Sequence, residues 1–168
     1  MEIQNKNGTS LAELLIYMAI MVILTSAIIS FIVLNKKIGD RNEAINEVEF
    51  QGQEIVEIIS QTIRNGKSIN VPALGGSGSQ LSLVVDVSGD SPIVFDLVAG
   101  KMRIKRGAGV ATNLNSDKVV ISNLIFKNIG NAGTIGSINF QFNVKYLNPM
   151  NKTELNYAKT FFNSGSLR

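Results

Sequence analysis

Cysteine, histidine and tryptophan do not occur in the 168 residues, and proline occurs only three times. Without cysteine no disulfide can staple the fold, and the redox compartment is left open. Without histidine the chain lacks the usual general base, the commonest zinc ligand and every Ser–His arrangement. No Walker loop, paired glycine-rich dinucleotide motif or metal-spaced carboxylate cluster occurs either. These absences argue against an enzyme, and the sequence calls for no cofactor and no metal. Proline is missing from Met1 to Val71, so nothing in that stretch forces a helix to break. Charge is missing from Leu14 to Leu34, an apolar run whose polar members are Tyr17, Thr25, Ser26 and Ser30. At about 1.5 Å per residue that run reaches roughly 32 Å, enough to cross a hydrocarbon core.

Beyond Leu34 the helical pattern continues. Ile38, Ile45, Val48, Gly52, Ile55, Ile59 and Ile63 recur at helical spacing, with Ala44, Val56 and Ile58 widening the stripe. Glutamates fill much of the other face. Gly39 and Gly52 are each costly in a helix by about 1 kcal/mol against alanine, and are read as marking bends. Asn65-Gly66 is a stop signal. The expectation is one helix of roughly 50 residues, greasy all round in its first half and amphipathic in its second. Charge is distributed unevenly after it. Residues 38–64 carry six acids against Arg41 and Arg64, whereas residues 65–168 carry eleven Lys and Arg against five acids. An acidic stalk and a basic head could attract neighbouring copies; the simpler view makes both solvated faces.

The remainder reads as strands and turns. Strands are expected at 68–71, 81–87, 93–98, 101–106, 118–127 (kinked or split at Ser122-Asn123), 137–146 and 154–162, with loose loops at 107–117 and 128–136 and a polar tail from Asn163 to Arg168. Ala99-Gly100 is a two-residue hairpin turn. An antiparallel sheet with one apolar face needs a cover, which the isoleucine stripe supplies. The fold class is therefore α+β, a long N-terminal helix packed on an antiparallel β-sheet head.

Before the apolar run stands Gly8-Thr9-Ser10-Leu11-Ala12-Glu13. A carboxylate at the mouth of a spanning segment is costly and has a functional reason. A short polar leader ending in glycine, glutamate as the fifth residue after it, then about twenty apolar residues: this resembles the prepilin signature of type IV pilins and type II secretion pseudopilins. The family usually has Phe where this chain has Thr9, and a larger aliphatic where it has Ala12. The resemblance implies cleavage after Gly8 by a prepilin peptidase, methylation of the new N-terminus at Thr9, and a role for Glu13 in filament assembly. It divides the chain into a leader (1–8), a transmembrane and assembly helix (9–35), its amphipathic continuation (36–66) and a β-rich head (67–168). It also implies partners: other pilin or pseudopilin subunits, the peptidase, an inner-membrane assembly platform and membrane lipid. The order of strands in the head looks like the larger minor pseudopilins, the J-type subunit. Lys36 and Lys37 after the span, against Lys6 offset by Glu2 before it, would place the C-terminal side in the cytoplasm. The resemblance implies the reverse, with the head outside, and is followed.

Competing interpretations are a secretory signal cut near Thr25-Ser26-Ala27, a buried core helix, and an uncleaved anchor bearing a surface binding module. A further alternative is a DNA-binding pilin of an uptake system. It would use Lys101, Arg103 and Lys105 on one strand face, with Arg106 at its end, as a polyanion patch. Against that stands a solvated strand whose lysines guard an edge, and no aromatic interleaves the patch. Asp86, Ser88, Asp90 and Asp96 suit a turn better than a calcium site. Asn151-Lys152-Thr153 matches a glycosylation acceptor by a common pattern.

Overall fold

The computed structural model describes residues 11–87, 89–131 and 136–168. In chain order the elements are α1 (Leu11–Arg64), β1 (Gly66–Val71), β2 (Ser77–Gly78), β3 (Leu81–Val85), β4 (Ile93–Val98), β5 (Lys101–Arg106), β6 (Thr112–Asn113), β7 (Val119–Asn128), β8 (Ser137–Tyr146), a 3-10 turn (Thr153–Leu155) and β9 (Ala158–Ser166). The chain forms two compact units, residues 1–40 and 41–168.

In the first unit α1 is long and apolar enough to cross a membrane, and no part of its apolar window is buried within the protein. Its polar side chains are satisfied along the helix itself. Thr25 donates to the Met21 carbonyl at 2.7 Å, Ser26 to Ile23 at 2.8 Å, Ser30 to Ser26 at 2.9 Å and Asn35 to Phe31 at 2.9 Å. A hydroxyl bonded to its own helix presents no unmet donor to hydrocarbon, so these residues fit a spanning segment.

In the second unit the helix packs against two antiparallel sheets. Its part of α1 buries Ala44, Val48, Gln51, Gly52, Ile55, Ile59, Ser60 and Ile63. One sheet has the order β1-β3-β4-β5-β6 and the other β2-β7-β8-β9, where a single sheet was expected. Both contribute to one core. Leu81, Leu83, Phe95, Met102 and Ile104 come from the first, Phe126, Ile138, Phe140, Phe142 and Val144 from the second, and Val48, Ile55, Ile59 and Ile63 from the helix. Alternation along β8 puts Ile138, Phe140, Phe142 and Val144 on the inner face, because successive side chains of a strand point to opposite sides.

The β4–β5 turn is Ala99-Gly100, both at positive φ (49° and 77°), the geometry that matches strand twist in a two-residue hairpin. At Gly100 a Cβ would also stand 2.7 Å from Val120, so glycine is needed there twice over. The kink expected at Ser122-Asn123 is a bulge within one continuous β7: the register shifts between Ser122 and Ile125, and Asn123 takes φ 53°. The 107–117 loop holds the short β6 and a buried polar hub, Asn115. Its amide accepts from the Met102 N–H at 2.9 Å and donates to the Val119 carbonyl at 2.9 Å.

The C-terminus differs most from expectation. Residues 154–157 belong to the 3-10 turn and its exit, and the strand runs from Ala158 through Ser166 instead of ending at Phe162. The segment read as a polar tail pairs with β8 from Asn163↔Phe140 to Ser166↔Ser137. Its polarity hides the strand because Ser164 and Ser166 face outward while Asn163 and Gly165 face the helix. The Asn163 amide donates to Ser60 Oγ at 3.3 Å, and a Cβ on Gly165 would lie 3.0 Å from Ile63. Gly52 is the reciprocal case: it lets the Phe161 ring rest on the helix backbone, where any Cβ would overlap it. The glycine expected to mark a bend is thus a packing contact.

Candidate functional site

Gly8 and Thr9, the residues of the expected cleavage point, lie outside the described residues. Glu13 stands in the first turn of α1, where a carboxylate is favoured by the helix dipole. It is exposed, and one turn on the Tyr17 hydroxyl donates to its Oε1 at 3.1 Å. Sequence reasoning counted Tyr17 only as a mild polar member of the apolar run; its i, i+4 spacing from Glu13 was the available signal. From Leu14 through Leu34 every side chain is exposed. From Leu11 to Leu34 the helix therefore presents one carboxylate, Glu13, at the foot of an uncovered apolar rod. In water such a surface is strongly unfavourable, at roughly 25 cal/mol for each Å² left exposed, which makes the helix a candidate membrane span.

In the head unit three acids of the helix, Glu43, Glu47 and Glu49, are met from within the same chain. Lys159 Nζ lies 2.7 Å from Glu49 Oε2, and the Tyr157 hydroxyl donates to Glu49 Oε1 at 3.0 Å. Lys159 above all, with Tyr157 assisting, holds the Glu49 carboxyl below its ordinary value, against a desolvation that pushes the other way. Lys118 reaches Glu43 at 3.0 Å, which raises the lysine's pKa. Ser116 closes the seam between them: its hydroxyl donates to Glu47 at 3.0 Å and its backbone N–H to Gln51 Oε1 at 3.2 Å. Part of the acidic-stalk, basic-head complementarity is consequently internal.

No family model, no curated protein and no solved structure matches the chain. The site must be argued from its own geometry.

The strand of cations is largely committed elsewhere. Arg103 makes a two-pronged pair with Asp96, at 2.8 and 2.7 Å, and its pKa is raised by that bond. Lys101 lies 2.8 Å from Asp117, holding that carboxyl below its ordinary value, and donates to the Ser116 carbonyl at 2.6 Å. Lys105 and Arg106 are exposed, and Arg106 lines a shallow groove with Asp86 and Asp90. The four cations thus do not form one open face. The acids considered for calcium are also divided, Asp86 to Lys67 at 2.7 Å and Asp96 to Arg103, while Ser88 lies outside the described residues. Asn151 sits at positive φ (50°) in a loop braced by Asn148, whose amide donates to the Lys152 carbonyl at 2.6 Å.

Proposed function

We propose that this chain is a structural subunit of a type IV pilus or type II secretion pseudopilus, of the minor, J-type kind, and not an enzyme. It is inserted in the inner membrane by α1 with its head outside, trimmed after Gly8 by a prepilin peptidase and assembled with other subunits by helix packing. The observation that carries this is the single carboxylate Glu13 opening an apolar helix whose surface is uncovered all round. A signal peptide has no use for an acid at the border of its apolar core, and an ordinary anchor gains nothing from one.

The proposed chemistry is electrostatic. Cleavage would leave a free ammonium on Thr9, four residues before Glu13 in the sequence, the spacing that puts two groups on one face wherever a helix carries both. Both charges are costly in lipid or between packed helices, so each needs an opposite partner. Glu13 pairs with its own N-terminus or with that of a neighbouring subunit. An intersubunit pair fixes axial register, because a single stagger brings the two charges together. Tyr17 holds the carboxylate until that partner arrives.

Co-expression with a prepilin peptidase should give a protein beginning at Thr9, and Gly8→Val should block the cut because a side chain obstructs close backbone approach. Glu13→Ala should leave insertion and cleavage intact but sharply reduce incorporation into sheared filaments, since an unmatched buried ammonium costs about 3–5 kcal/mol. A mature N-terminus near Ile28, or normal incorporation of Glu13→Ala, would overturn the proposal. The DNA-uptake alternative draws nothing from β5, where Lys101 and Arg103 are already paired.

A further inference from the structure

Two exposed aromatics in the head unit stand on opposite sides of it, each beside charges that have no partner. Phe50 is 66% exposed on the side of α1 turned away from both sheets. Glu54, one turn further along the helix, has no partner among the described residues, unlike Glu43, Glu47 and Glu49. Phe162 is 81% exposed on the outer face of the β2-β7-β8-β9 sheet. It stands in a row with Gln141 and Ile125 across three strands, and the next row contains Lys127 and Asn139. These residues line a groove of about 570 Å³. Among the residues of β7, β8 and β9 that point outward from this sheet there are two lysines, Lys127 and Lys145, and no carboxylate. Neither lysine has an acidic partner among the described residues.

We infer that the Phe50–Glu54 face of one copy docks on the Ile125–Gln141–Phe162 groove of a second copy, with Glu54 answering Lys127 or Lys145. The two patches cannot meet within one chain, because α1 packs on the inner face of the sheet and Phe162 looks outward from it. Glu43, Glu47 and Glu49 are already paired with the chain's own head, whereas Glu54 beside Phe50 and the lysines on the face of Phe162 are not. A lone exposed aromatic needs no explanation. Two aromatics, each flanked by unmet charge of opposite sign, are complementary in both apolar surface and potential. The contact joins two different patches, so it is heterologous: it leaves each patch's counterpart free for a further copy, as a filament requires and a two-fold dimer does not allow. This rests on the filament proposal above and supplies a head-level contact for it.

The absence of native cysteine makes the test direct. Full-length Phe50→Cys and Phe162→Cys chains, carrying different tags, are co-expressed with a prepilin peptidase in membranes and oxidised, and mixed disulfide dimers are scored on non-reducing gels. The expected result is mixed dimer in clear excess over Phe50–Phe50 and Phe162–Phe162 dimers. Adding Glu54→Lys to the first chain should cut its yield about fivefold, about 1 kcal/mol. Adding Lys127→Glu and Lys145→Glu to the second should then restore it. Mixed dimer no more abundant than the same-site dimers, or indifferent to the charge reversals, overturns the inference. Sequencing the N-terminus of the same samples separates the two claims. A Thr9 start without mixed dimer sinks the docking face alone, whereas mixed dimer on an uncleaved chain keeps the docking face and sinks the filament reading.

Discussion

From Leu14 to Leu34 α1 presents apolar side chains on every side and buries none, whereas from Ala44 to Ile63 it presents them on one stripe and buries that stripe. The same helical backbone carries two surface patterns. In the first stretch the surroundings decide the composition, and the few hydroxyls turn back onto their own carbonyls. In the second the partner is the chain's own head, and each position is chosen for what touches it. Substitutions should therefore be forgiving in the first stretch where chemistry is kept apolar, and unforgiving in the second even when the change is a single methyl group.

The two glycines of α1 test this most severely. A Cβ at Gly39 meets nothing within 4 Å, while one at Gly52 falls inside the Phe161 ring. Gly52→Ala should destabilise the head by about 3 kcal/mol, at the upper end for overpacking a core, because ring, strand or helix must move. Gly39→Ala should leave the head's melting transition where it was. Thermal unfolding of the full chain in detergent, followed by near-UV circular dichroism, measures both. Truncating the ring as well, in Gly52→Ala/Phe161→Ala, should remove most of the extra cost of the methyl group relative to Phe161→Ala alone. If Gly52→Ala is as mild as Gly39→Ala, the close approach of β9 to the helix is wrong.

Hydroxyl and amide groups give the second contrast, with a smaller effect. Thr25 bonds only its own helix, so Thr25→Val should change neither insertion nor stability measurably. Asn115 is buried and bridges three backbone segments, taking the Met102 N–H and giving to the carbonyls of Gly100 and Val119. Asn115→Ala takes this partner from the Met102 N–H and the Val119 carbonyl, while the Gly100 carbonyl keeps the Ile121 N–H, and should cost the head about 2 kcal/mol. Amide exchange at Met102 should accelerate in step. An unchanged exchange rate would mean that water replaces the side chain there.

Legibility followed the same division. The apolar run, the stripe and the Ala99-Gly100 hairpin were readable because each is a periodic or local signal: hydropathy, 3.6-residue spacing and a turn that demands positive φ. What escaped depends on contacts far apart in the chain. Asn163 to Ser166 looks like a tail until β8 is beside it, and Asn115 looks like loop until β5 and β7 close around it. The second sheet was invisible for that reason, since strand order is not encoded in any one strand. The basic face of β5 failed differently. Alternation correctly put Lys101, Arg103 and Lys105 on one side, but Asp96 on the neighbouring strand and Asp117 in the following loop claim two of them. At the candidate site Glu13 was singled out by its place at the mouth of the apolar run and by the prepilin resemblance, whereas its Tyr17 partner and the Glu49–Lys159 pair required coordinates.

The smallest expected effect concerns that last pair, and pH reads it. Lys159, with help from Tyr157, depresses the Glu49 carboxyl below its ordinary value of 4.5. A carboxylate whose pKa is lower folded than unfolded adds stability that is present above the unfolded value and disappears as pH falls through the folded one. Glu49 therefore stabilises the head at neutral pH and ceases to do so under acid conditions, while Lys159, whose pKa is raised by the same bond, sets the loss at the alkaline end. Asp117, also depressed, titrates in the same acid range, so total acid unfolding cannot isolate Glu49. The difference between wild type and Glu49→Gln can. Melting temperatures of the two should separate near neutrality, by less than either change above, and converge as pH is lowered past the carboxylate range. Tyr157→Phe should move that convergence upward in pH, because it removes one donor from the carboxylate while leaving Lys159 in place. A constant gap between wild type and Glu49→Gln at all pH values would show that the glutamate contributes by packing along the helix and not by its charge.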